Sequence, residues 1–223
     1  MMKMKRGALI IFEGCDRSGK TTQCQRLVKY LSENLPMIGD LSAAKMMRFP
    51  DRETEIGKTI SGYLKQEQHL DDHVVHLLFS ANRWERQHDL VKALEAGQHV
   101  IVDRYAFSGV AFTAAKKGMS FEWCRQPDRG LPKPDLVCFL DVSPEEAAKR
   151  GNYGDERYEK QDFQAKVRDN YKTFQQEDSN WVTIDTDSKS LDEIFESVKS
   201  TCFKVINAEK GVIEKLWWPI SEK

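Results

Sequence analysis

The sequence predicts an α/β fold, a parallel sheet covered by helices on both faces. Three observations carry that expectation. Five short apolar runs, at 8–12, 45–49, 99–102, 136–140 and 181–184, have the length and texture of fully buried strands. Longer stretches of helical periodicity separate them, and strands alternating with helices build parallel sheets. A glycine-rich turn at 14–21 directly follows the first run and directly precedes a helical pattern, the layout of an anion-binding strand–helix junction.

The elements follow in order. Residues 1–6 are basic, but the next apolar run stops at Glu13-Gly14, too early for the core of a signal peptide, so 8–12 is read as a strand. Cys24, Leu27, Val28 and Leu31 recur at helical spacing, and Asn34 with Pro36 ends that helix. Val74, Leu77, Leu78 and Ala81 give a second apolar stripe, expected to pack inward, with Asp71 or Asp72 near its start. The sequence Ser143-Pro144-Glu145-Glu146 combines an N-cap, a proline at the first helical position and a glutamate that closes a capping box. Ser190-Leu191-Asp192-Glu193 repeats the box, and Leu191, Ile194, Val198, Cys202 and Val205 form the expected buried face of the last long helix. There is no internal repeat.

A chain of 223 residues is expected to form one domain, 1–223, with a core of its own. The 34 Lys and Arg residues against 35 Asp and Glu leave a net charge of −1, which argues against a nucleic-acid partner and confines any anion binding to a local site. Five cysteines without a Cys-x-x-Cys pair suggest reduced thiols and a cytoplasmic protein, with the nucleus also open to it. No apolar stretch approaches the ~18 residues of a membrane span.

Gly14-Cys15-Asp16-Arg17-Ser18-Gly19-Lys20-Thr21 matches G-x-x-x-x-G-K-[ST], the P-loop. Its glycines let backbone N–H groups close on phosphate oxygens, and the next helix aims its positive end at the same point. Lys20 is placed to bridge the outer phosphates of a nucleoside triphosphate, and the Thr21 hydroxyl to reach Mg²⁺. Asp103, at the carboxyl end of the third run, lies where open α/β sheets bind ligands and can hold the metal directly or through water, or orient an acceptor phosphate. Arg104 beside it offers a fork for phosphate oxygens. The guanine-reading Asn-Lys-x-Asp is missing, which turns the reading away from GTPases. A basic rather than acidic neighbour of Asp103 suits an anionic acceptor better than water.

Longer blocks then carry a resemblance. They are residues 12–21, Arg48-Phe49-Pro50, Thr54-Glu55-Ile56-Gly57, residues 72–85, Asp103-Arg104-Tyr105-Ala106-Phe107-Ser108-Gly109-Val110-Ala111-Phe112, Leu131-Pro132-Lys133-Pro134-Asp135 and Glu156-Arg157-Tyr158-Glu159. In this order they resemble the thymidylate kinases, eukaryotic type, over nearly the whole chain. That resemblance implies a P-loop NTPase fold of the nucleoside-monophosphate kinase type, a five-stranded parallel sheet flanked by helices, with a lid over about 142–160. It implies transfer of a phosphoryl group from Mg·ATP to dTMP, and a homodimer. By resemblance, ATP meets Gly14, Arg17, Ser18, Gly19, Lys20, Thr21 and Thr22, with Arg150 over adenine and Lys189 beside it. The dTMP pocket is implied at Phe49, Pro50, Arg52, Leu64, Ser108, Gly109 and Phe112, with Phe79 stacking on thymine and Arg83 bonding a thymine carbonyl. Arg52 and Arg104 would take the dTMP phosphate, Asp16 would reach the ribose 3′-hydroxyl, and Tyr158 lies nearby. Arg17 places the chain with the branch that keeps its transition-state arginine in the P-loop, so Arg17, Lys20, Asp103 and Arg104 are the expected catalytic set. Other kinases of the same fold, acting on deoxynucleosides or other monophosphates, and a nucleotide-binding module without catalysis are the alternatives.

His69, His73 and His76 share one helical face but read as hydrogen-bonding residues rather than zinc ligands. Trp217-Trp218-Pro219 is expected to dock on its own domain. Residues 35–43 and 208–223 match no motif.

Overall fold

The five runs form five strands, β1 (Leu9–Glu13), β2 (Ala44–Arg48), β3 (His99–Asp103), β4 (Leu136–Asp141) and β5 (Trp181–Asp185), each within a residue of its expected bounds. The computed structural model describes residues 6–150, 157, 158 and 160–218. All the strand pairings are parallel, in the order β2-β3-β1-β4-β5. The connections run to one side of β1 and then to the other, so a crevice opens at the carboxyl ends beside β1. The register sets Phe12 opposite Asp103, which brings the end of β3 against the start of the glycine turn.

The helices are α1 (Lys20–Asn34), α2 (Glu55–Leu64), α3 (Asp72–Glu85), α4 (Gln87–Glu95), α5 (Ala106–Ala114), α6 (Phe121–Arg125), α7 (Pro144–Lys149), α8 (Gln161–Glu177) and α9 (Leu191–Asn207), with a 3-10 turn at Gln126–Asp128. On one face of the sheet Cys24, Leu27 and Leu31 of α1 meet Ile194, Val198 and Cys202 of α9. The other face is covered by α4, α5 and α8 through Leu90, Leu94, Val110, Ala111, Val167, Tyr171 and Phe174. A third cluster, Ile60, Tyr63, Leu64 and Val75, joins α2 to α3 at the rim of the crevice.

Three local expectations are corrected. Val74 and Leu77 are each 47% exposed, and α3 instead buries Val75, His76, Ser80, Asn82 and Arg83. The buried polar groups are satisfied from distant segments: Asn82 exchanges hydrogen bonds with Asp51 and donates to Thr54 Oγ1, and His76 sits between Thr113 Oγ1 and the Cys124 carbonyl, both at 2.9 Å. A polar face can therefore be the inner one. At α7 the Ser143 hydroxyl caps Glu146 N–H, but the Ser143 N–H donates to Asp187 Oδ1 at 2.9 Å, so a carboxylate from another segment replaces the second half of the box. On α9 Leu191 is exposed and Phe195 is buried in its place.

The tail docks as expected. Leu216 is buried, and Trp217 stacks on Phe174 with centroids 5.8 Å apart. Pro219 lies outside the described residues, as do 151–156 and 159 of the expected lid, Glu156 and Glu159 included.

Candidate active site

A cleft of about 620 Å³ occupies the crevice, with the glycine turn at one end and α2, α3 and α5 at the other. Its formation starts at Gly14, whose φ of 147° and close approach to the Leu140 carbonyl, 2.5 Å from where a Cβ would sit, admit only glycine. The chain then curls so that Lys20 Nζ donates to the Cys15 carbonyl at 2.6 Å and to Ser18 Oγ at 3.1 Å. Burial, and then the charge of Arg104, pull the Lys20 ammonium down to about 8. An incoming phosphate would replace the missing hydration and hold the lysine charged.

Thr21 Oγ1 donates to Asp103 Oδ2 at 2.5 Å, and Arg48 Nε lies 3.6 Å from the same oxygen. Arg17 and Arg104 both line the cleft in left-handed backbone conformations, with φ of 65° and 68°. Such backbones cost about 1–2 kcal/mol for residues with a Cβ, and two of the five among the described residues carry cations of the cleft.

Arg104 is held on several sides. Its Nη2 bonds Asp16, its Nη1 lies 3.3 Å from Ser108 Oγ, and its guanidinium rests 5.2 Å above the Phe112 ring. Asp16 in turn exchanges two bonds with the buried Gln164 side chain, from its N–H at 3.0 Å and to its Oδ2 at 2.7 Å. Glu13, fully buried, accepts from Tyr105 N at 2.9 Å, Ser108 N at 3.1 Å, Ser108 Oγ and the Tyr171 hydroxyl at 2.9 Å. That carboxylate ties the last residue of β1 to the start of α5 and fixes the backbone on which Arg104 stands.

The far end of the cleft is lined by Phe49, Pro50, Arg52, Leu64, Phe79, Arg83, Ser108, Gly109, Phe112 and Tyr158. The peptide before Pro50 is cis. Arg83 is only 2% exposed and forms a two-point ion pair with the fully buried Asp128, Nε to Oδ1 at 3.0 Å and Nη2 to Oδ2 at 2.6 Å. Tyr158 stacks on Phe163 at 5.3 Å and donates to the Tyr63 hydroxyl at 3.1 Å.

Most of the residues singled out in the sequence thus line one cleft: Asp16, Arg17, Gly19, Lys20, Thr21 and Thr22 from the turn, Asp103 and Arg104 after β3, the far-end set, and Arg150. Gly14 and Ser18 are buried within the turn and do not line the cleft. Arg150 reaches the Arg17 carbonyl at 2.8 Å and the Thr186 carbonyl at 2.9 Å, bracing the turn. Lys189 is not brought in; its ammonium folds back on the Asp185 carbonyl at 2.9 Å. Sequence reading missed Arg48, Glu13, Gln164 and Asp128. Glu13 left a signal, a charged residue ending an apolar strand directly before the glycine turn. Gln164 and Asp128 left none.

Seven cationic side chains and two carboxylates line the cleft of a chain that is nearly neutral overall. Such a site binds anions, and its two ends, glycine turn and aromatic pocket, suit two different anionic molecules.

Residues 12–198 match the family model "Thymidylate kinase". Thymidylate kinase of Danio rerio is 50% identical over 218 residues, covering 97% of this chain and all of the relative. The Homo sapiens thymidylate kinase is 49% identical over the same shares. A solved structure of thymidylate kinase from Candida albicans superposes with a TM-score of 0.84 at 37% identity, covering 95% of this chain and 98% of that one. With a family match over most of its length and relatives about half identical along nearly all of it, the chain belongs to the thymidylate kinase family.

Proposed function

We propose that this chain transfers the γ-phosphoryl of ATP to dTMP, giving ADP and dTDP. The observation that carries the reading is the single cleft in which Lys20 and the Thr21–Asp103 pair face Phe79, Arg83 and Arg104. Lys20 and the backbone of the turn hold the donor phosphates, and Arg17 meets charge that spreads over the phosphoryl group as its donor bond loosens. Arg104 and Arg52 take the phosphate of dTMP, Asp16 faces the ribose, Phe79 stacks on the base and Arg83 donates to a base carbonyl. No covalent intermediate is required.

The Thr21 hydroxyl and Asp103 carboxylate are hard oxygen donors held together at the turn, and this donor set fits Mg²⁺, which keeps most of its shell for water and phosphate oxygens. When bound there, the ion neutralises charge on the donor phosphates. The reading places a lid at about 142–160; of its described residues Arg150 and Tyr158 line the cleft, where closure would exclude water.

A coupled ADP-release assay over dTMP, dUMP, UMP, CMP and thymidine tests the reading. Turnover is expected with dTMP and not thymidine, with at least a 100-fold loss in a Lys20→Ala control. Turnover on thymidine but not dTMP would replace the assignment with a nucleoside kinase.

The proposal includes a homodimer formed through α3, supported by Val74 and Leu77, which lie three apart and leave an apolar patch exposed. Sedimentation equilibrium is expected to give twice the chain mass, and Leu77→Glu about once; a monomer at micromolar concentration would remove this part. The five buried free thiols support a reducing compartment.

A further inference from the structure

We propose that Asp128 is the positioning residue for base selection, holding the Arg83 guanidinium so that its remaining donors face the base pocket. The inference rests on the reading of Arg83 as the base-contacting residue.

Arginine carries five N–H donors in a rigid plane. Asp128 takes Nε and one hydrogen of Nη2 with its two oxygens, which fixes both the tilt of the plane and its rotation. Nη1 has no hydrogen-bond partner among the described residues, and Arg83 lines the cleft. Gly109 makes this pose possible: a Cβ there would stand 2.7 Å from Nη2 and 3.2 Å from Nη1.

Asp128 is itself anchored. Its Oδ1 also accepts from Ser80 Oγ at 2.7 Å, and the neighbouring Pro127 carbonyl accepts from Ser80 Oγ at 3.1 Å and Trp84 Nε1 at 2.7 Å. Ser80, Arg83 and Trp84 lie three and four apart on α3, so one helix face grips the 3-10 turn. Behind the turn, the C-terminal segment pairs with residues 130–133: Gly130 N donates to Leu216 O at 3.0 Å, Leu216 N to Leu131 O at 2.7 Å and Lys133 N to Glu214 O at 2.8 Å.

The pairing also separates Arg83 from the other cations of the cleft. Because Asp128 neutralises it, Arg83 offers directed N–H groups without a net charge to attract phosphate. A pyrimidine with a carbonyl at the facing edge completes the set, whereas one with an amino group there sets donor against donor. An ion pair serving only to fasten α3 to the turn would alter stability and leave substrate preference alone.

The test measures KM for dTMP, dCMP and ATP, with thermal melts, in Asp128→Asn, Arg83→Met and the double variant. Asp128→Asn is expected to raise KM for dTMP about tenfold, to lower the preference for dTMP over dCMP about tenfold, and to leave KM for ATP within about twofold. In the Arg83→Met background the same substitution should change KM for dTMP by less than about twofold, since the two act as one unit. Equal losses in both backgrounds, or a parallel rise in KM for ATP, overturn the proposal. An impaired Arg83→Met enzyme beside an unimpaired Asp128→Asn enzyme sinks only this inference; an unimpaired Arg83→Met enzyme sinks the base-contacting role and this inference with it. If Asp128→Asn does not fold, Ser80→Ala decides: a rise of about threefold in KM for dTMP supports the proposal and an unchanged value overturns it.

Discussion

Arg17→Gly is expected to lower turnover by about 10³-fold while KM for ATP moves less than about threefold. Arg17 lines the cleft from within the glycine turn, in company with Lys20 and Arg104. A cation at that point gains most when charge moves outward onto the transferred group, which happens in the transition state rather than in the bound donor. Its backbone makes the substitution a clean one. With φ at 65°, the residue stands in a conformation that glycine adopts freely. Relief of about 1–2 kcal/mol of left-handed strain is set against about 0.5–1 kcal/mol of added chain entropy in the unfolded state. The melting temperature should therefore stay within about 3 °C. Steady-state kinetics with a melt on the same preparation read both quantities; unchanged turnover rules out the transition-state role.

Glu13→Gln is expected to destabilise the fold by about 3 kcal/mol, a fall of about 6–12 °C in melting temperature, and to reduce turnover about tenfold. Four donors converge on this buried carboxylate, from Tyr105, Tyr171 and twice from Ser108. An amide of the same shape keeps its oxygen for the two backbone N–H groups and turns its NH₂ toward the Ser108 and Tyr171 hydroxyls, which must then rotate to accept, so two buried charge-assisted bonds are lost. The damage reaches the chemistry because the Tyr105 and Ser108 N–H groups that Glu13 holds anchor the backbone directly after Arg104. A melting temperature within 2 °C of the parent protein would contradict this account of Glu13.

Much of this was legible in the sequence because it is written locally. A strand signal needs five neighbours, a capping signal four and the glycine turn eight, so β1 to β5, the caps at Ser143 and Ser190 and the phosphate end of the cleft could be read directly. The inner face of α3 could not. His76, Ser80, Asn82 and Arg83 are buried only because Thr113, Cys124, Asp128 and the Asp51 turn arrive from 28 to 48 positions away to satisfy them. Periodicity counts hydrophobicity, so it assigned the core to Val74 and Leu77, which lie on the opposite side. Lys189 shows the same dependence on context: its ammonium bonds the Asp185 carbonyl and carboxylate, partners that its position after β5 does not predict. The second half of the Ser143 box failed in the same way, because Asp187 outcompeted the local glutamate.

Seven cations against the two lining carboxylates and Asp128, which pairs with Arg83, leave the cleft four charges positive, whereas the whole chain is −1. The remainder of the molecule therefore carries five net negative charges. Beyond a Debye length, ~8 Å at physiological salt, an approaching polyphosphate meets a mildly repulsive exterior, and attraction begins only at the mouth. A field of this shape sorts anions by bulk: a lone nucleotide passes inside the acidic rind, while a long phosphodiester strand has to lie across it.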